Sequence, residues 1–176
     1  MVPTNYNYSS IMSDLMAGKR NREGNVLYGF IAGAVGGLIA TGIKTLSERY
    51  LPVRPPGADT PPEILADDAA VAVTDKHLTP SQQETAGDAM HWLFGTLMGG
   101  AYGAAVEVMP QFGEGLGLPF GTAVFGIMHE GLLPAMSVEP THENKGGDEE
   151  RNELLTHLMY GFATEVVRGQ VRPLLD

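Results

Sequence analysis

The sequence contains no cysteine, which excludes disulfide bonds, zinc–thiolate centres and cysteine nucleophiles and leaves the redox compartment open. Basic residues are also scarce. With 11 Lys and Arg against 21 Asp and Glu, the formal charge is -10 and no basic stripe forms, so nucleic acid is not an expected partner. No phosphate-binding G-x-x-x-x-G-K-[ST] loop, G-x-S-x-G elbow or H-E-x-x-H helix is present; His129-Glu130 is followed by Gly131-Leu132-Leu133, without a second ligand. No catalytic motif is recognised, so the expectation is a non-enzyme. A cleavable signal peptide is not expected either. Residues 1–24 are polar, and the first apolar block is long and without a small-residue cleavage site, so it reads as an uncleaved anchor.

What the chain does have is apolar residues in blocks. Residues 26–43 run for 18 positions without a charge, close to the length that crosses a hydrocarbon core of ~30 Å. Residues 89–106 run for another 18 without a charge, apart from His91, which can titrate near neutral pH. Thr79-Pro80-Ser81-Gln82, just upstream, carries the capping threonine, first-turn proline and third-position glutamine of a helix start. Residues 115–138 are apolar around His129-Glu130 and include Pro119 and Pro134, which predicts a kinked third span. Residues 152–171 are the most interrupted, by Glu153, His157, Glu165 and Arg168, and a soluble amphipathic helix competes for that segment.

Glycines recur every four residues inside these blocks, as Gly29, Gly33 and Gly37 and again as Gly95, Gly99 and Gly103, with Gly117 and Gly121 continuing the pattern. Each costs about 1 kcal/mol against alanine in an aqueous helix, whereas in lipid the spacing lets backbones approach closely. The expected fold class is therefore all-α: an integral membrane bundle of four transmembrane helices, about 26–46, 88–109, 115–138 and 152–171. Lys19, Arg20 and Arg22 before the first span and Arg168 and Arg172 in the last, against acidic connections at 51–87 and 139–151, place both termini in the cytoplasm. A polar cytoplasmic segment, 1–24, precedes the membrane domain, 25–172. A short helix is expected near 62–73, after the turn-forming stretch from Leu51 to Gly57.

That topology brings distant polar residues to one depth. His91, His129, Glu130, Glu153 and His157 fall in the outer layer, with Lys44 ending the first span on the same side. Glu153 and His157 are four apart and share a helix face, where they can share a proton or bind an ion. Ionisable groups inside spans are costly and point inward, which favours a role for the set. Three readings stand: hydrogen bonding across helices with Glu130 paired to Lys44, proton exchange, or a divalent-metal site of imidazole and carboxylate ligands. An inner polar set comprises Glu107, Glu165 and Arg168, for which an ion pair is the default.

These residues resemble the YagU-like family of inner-membrane proteins over about residues 29–168. Glu153-Leu154-Leu155-Thr156-His157 followed by Glu165 and Arg168 matches its last span; His91, Tyr102 and Glu107-Val108-Met109-Pro110 match its second. His129 and Pro134 match the third, and Lys44 with the Pro-Arg-rich stretch matches the region after the first. The family's common domain has no settled function, so the resemblance implies a fold, the importance of these positions and an inner-membrane location, and no reaction. The acidic connections and the N-terminal segment do not match. The expected function is a proton-responsive or ion-binding membrane protein. Its rival is a structural or accessory subunit whose glycine faces pack against a second copy or another membrane protein.

Overall fold

The computed structural model describes residues 25–140 and 146–176. The expected polar segment 1–24, with Lys19, Arg20 and Arg22, lies outside the described residues, as does 141–145 of the second connection. Among the described residues all regular structure is helical.

Helix α1 spans Val26–Ser47, capped by the Asn25 side chain, which accepts from the Tyr28 N–H at 3.2 Å. Helix α2, Pro61–Thr74, and helix α3, Pro80–Val108, each start with a threonine cap and a proline in the first turn. Their third residues, Glu63 and Gln82, reach back to the cap backbone, so the signal read at Thr79–Gln82 marks a real helix start. Helix α4, Leu118–Ile127, continues through a π turn, Met128–Leu132, into a helical end at Leu133–Ala135. Helix α5, Gly147–Val171, begins five residues before the predicted fourth span. Asp148, Glu149 and Glu150 occupy its first turn, where the helix dipole favours negative charge.

The helices pack in the order α3, α1, α5, α4. Glycine sets the first contact: Gly29 lies against Gly103, Gly33 against Gly99 and Gly37 against Gly95, in antiparallel register. A methyl group on Gly99 would lie 2.6 Å from the Gly37 Cα, so no larger residue fits this seam. All six glycines predicted to pack helices are spent within the chain. A second seam, overlooked in part by the sequence pattern, joins α4 to α5: Gly161 meets Gly121, and Gly117 adopts φ +76° against Gly161. Gly36 fits against the Thr164 backbone, joining α1 to α5.

The distribution of polarity is inverted. The most deeply buried side chains include Thr41, Thr156 and Thr164, each donating to a carbonyl of its own helix. Large apolar residues line the outside instead. Leu27, Ile31, Leu38 and Ile39 are exposed on α1, Leu93 and Leu97 on α3, and Leu155, Met159, Phe162 and Val166 on α5. Helix α5 is thus amphipathic with its polar face inward, opposite to a helix on the surface of a water-soluble domain. Among the described residues, α1 alone is long and apolar enough by itself to cross a membrane.

Candidate functional site

A buried polar layer lies where the ends of α1 and α3 meet the π turn and the start of α5. Pro134 has no N–H to give the Glu130 carbonyl, and the ladder adjusts by widening one turn, in which the Leu133 N–H bonds to the Met128 carbonyl. Within this turn His129 is buried and Glu130 is exposed.

Glu153 stands at the centre, 4% exposed. Its Oε1 accepts from Lys44 Nζ at 3.0 Å and lies 3.5 Å from His129 Nε2 and 3.3 Å from His157 Nδ1. The other His129 nitrogen, Nδ1, is 2.9 Å from Glu139 Oε2. A neutral imidazole donates from one nitrogen only, so His129 can donate to both carboxylates only when doubly protonated. His157 Nδ1 donates to the Glu153 carbonyl at 2.8 Å, which fixes its tautomer with Nε2 as the acceptor when the ring is neutral. Lys44 also bonds Glu48, so one ammonium bridges two carboxylates. The two rings meet edge to face at 4.8 Å between centroids, and Phe125 packs against both.

His129, Glu153 and His157 offer one donor atom each within 4.8 Å of one another. Imidazole and carboxylate suit a divalent ion, with bonds near 2 Å that bring donors to roughly 3–3.5 Å apart. Lys44 bonds the same carboxylate that such an ion would use and would place a second cation beside it.

The remaining predicted residues are placed differently. His91 lies across a cavity from the two rings, with Nε2 3.5 Å from Thr45 Oγ1, and does not join their cluster. Glu130 points away from the layer, and the expected Glu130–Lys44 pair is replaced by the Lys44 pairs with Glu48 and Glu153. At the opposite end of the bundle, Glu165 and Arg168 form a bidentate pair at 2.6 and 2.7 Å, and the Tyr102 hydroxyl donates to Glu165 at 2.9 Å. Glu107 is not part of that pair; it binds Arg172 at 2.6 and 3.1 Å, with the guanidinium over the Tyr28 ring.

Glu48 and Glu139 are the site residues that sequence reasoning missed. A buried lysine at a helix end needs a carboxylate partner, and Glu48 at i+4 was the local signal. Glu139 carried no such signal, since the chain turns between it and His129.

No curated protein and no solved structure matches the chain. The model of the family described as "Protein of unknown function (DUF1440)" matches residues 38–166, a stretch that contains Lys44, His129, Glu139, Glu153 and His157, and the chain belongs to that family.

Proposed function

We propose that this is a YagU-like, multi-pass inner-membrane protein whose buried Lys44–Glu153–His129–His157 cluster takes up and releases protons. The four proposed spans, about 26–46, 88–109, 115–138 and 152–171, coincide with α1, α3, the helix broken at the π turn, and α5. Their support is the inverted polarity: Leu and Ile outside, charge and hydroxyls inside, as a lipid-facing bundle requires. Basic residues near both termini support a cytoplasmic side for both. Single cysteines test the topology cleanly, because the chain has none of its own. Tyr50→Cys and Val73→Cys should react with an impermeant maleimide from outside intact cells, and Leu174→Cys only after permeabilisation. Labelling of all three from one side would overturn the four-span arrangement.

The observation that carries the proton reading is the packing of one buried carboxylate against an ammonium and two imidazoles. Three carboxylates, Glu48, Glu139 and Glu153, face Lys44 and the two rings, so the cluster is anionic with neutral rings and balanced when both are protonated. Protonation of either imidazole changes this balance, which couples the charge of the layer to proton uptake. Arg54, Asp88 and His91 face the same space and set its remaining field. Ring-nitrogen NMR of the protein in lipid, followed across a pH series, should show a change of protonation within the cluster; two rings with constant protonation would sink the reading. Proton movement in proteoliposomes, compared between wild type and His157→Ala, separates transport from sensing, and no flux in either excludes transport.

The rival role, a structural subunit packing through its glycine faces, loses its main surface, because those glycines already face one another within the chain.

A further inference from the structure

A cavity of about 250 Å³ opens beside the polar layer. Two of its walls are apolar, with Met90, Phe94 and Met98 from α3 and Val124, Met128 and Leu133 from the third-span segment, while Lys44, Glu48, Arg54, Asp88 and His91 line its polar side. Helices α3 and α4 do not pack along their length; they meet where Tyr102 stacks on Phe120 at 4.2 Å between centroids. The cavity is the outer part of the cleft above that stack, partly covered by Pro61, Pro62 and Leu65 of α2. Its size is near the lower end for small-molecule sites, which combine apolar walls with a few placed polar groups.

One such polar group lacks a partner. His157 is 5% exposed and lines the cavity, and Nδ1 is committed to the Glu153 carbonyl. Nε2 has no hydrogen-bond partner among the described residues, yet no buried side-chain nitrogen or oxygen is left unsatisfied. The nitrogen is therefore accessible from the cavity rather than sealed in protein. With Nδ1 protonated, Nε2 of the neutral ring is an acceptor and calls for a donor. The neighbouring Tyr160 hydroxyl does not serve, since it donates to the Gly95 carbonyl at 2.6 Å.

We propose that the cleft between α3 and α4 binds a lipid-soluble molecule with a hydroxyl head, whose O–H donates to His157 Nε2 while its apolar body lies against Met98, Phe94 and Val124. The inference rests on the membrane placement proposed above and requires the neutral His157 ring, since protonation would turn Nε2 from acceptor to donor. The apolar walls select a molecule that partitions into lipid, and the unpartnered acceptor beside them selects one with a donor at its end. Glu48 and Glu153 are already paired with Lys44, so the head group is addressed to His157 and not to these carboxylates.

Two probes of nearly equal shape separate this from an unselective void: para-octylphenol, which has the donor, and para-octylanisole, in which a methyl ether replaces it. Equilibrium dialysis against the full chain in lipid nanodiscs, corrected with empty discs, should show the phenol bound about tenfold more tightly than the ether. His157→Phe should abolish that preference, and Met98→Trp, which fills the cleft, should release both probes. Equal retention by wild type, or no excess over empty discs, would overturn the proposal without any variant needing to fold. Carbonate extraction of the same membranes reports separately on the membrane placement, and the ring-nitrogen titration on proton uptake.

Discussion

Along α3, Gly95, Gly99 and Gly103 face α1, while Met90, Phe94 and Met98, with the same four-residue repeat, line the open cleft toward α4. The glycine stripe brings two backbones so close that no side chain fits between them. The Met and Phe stripe holds the next helix away and leaves a cavity beside His157. Both stripes come from one helical period, so the teaching is in side-chain volume: absent volume closes a contact, and large flexible volume keeps one open.

The largest test of this contrast is Gly99→Leu. The side chain would enter the Gly33 carbonyl and the Gly37 backbone, so unfolding in detergent should shift by at least about 4 kcal/mol, or folded protein should be lost. Retention of wild-type stability would mean that the seam is looser than described. Lys44→Met comes next, because it leaves Glu153 as a buried carboxylate without its ammonium; a loss of about 3–5 kcal/mol is expected. Adding Glu153→Gln should recover part of that loss, and a double-mutant cycle showing strict additivity would deny the coupling. On the cleft side, Met98→Ala should cost less than about 2 kcal/mol, since the space beside it is already open. A cost equal to that of Gly99→Leu would erase the distinction between the two stripes.

The smallest effect lies outside the four proposed spans, where Asp67 accepts from the Leu78 N–H at 2.7 Å and pairs with the exposed His77 at 2.7 Å. The hydrogen bond to Asp67 raises the His77 pKa from 6.5, and the same bond lowers that of Asp67 from 3.8. The histidine's contribution is complete below 6.5 and fades as pH rises through its raised value. The aspartate's is complete above 3.8 and fades as pH falls through its lowered value. Opening of the Leu78 amide, read by hydrogen exchange after correction for intrinsic rate, should therefore be least between those two limits. A protection factor independent of pH would show that the pair does not hold α2 to α3.

Much of this was legible in local pattern. The capping threonines, the two α1–α3 glycine stripes, the break near Pro134 and the Glu153–His157 spacing each follow from contacts within a few residues, which sequence records directly. The partners of the charges were not legible in the same way. Lys44 was matched to Glu130 by depth alone, yet the π turn puts His129 inward and Glu130 outward, and Glu153 takes the lysine. Glu107 likewise pairs with Arg172 and not with the Glu165–Arg168 fork, because Glu107 folds over Gly29 toward the far end of α5.

The amino-acid sequence by itself determined helices, their caps and the close contact of glycine-bearing faces, since these depend on chemistry at fixed short spacings. Only the tertiary structure decided which way each face of α5 turns, that Glu139 holds His129, and that His157 lines a cleft. Those outcomes depend on the meeting of residues far apart in the chain, where a single widened turn redirects a side chain and no local spacing encodes the result.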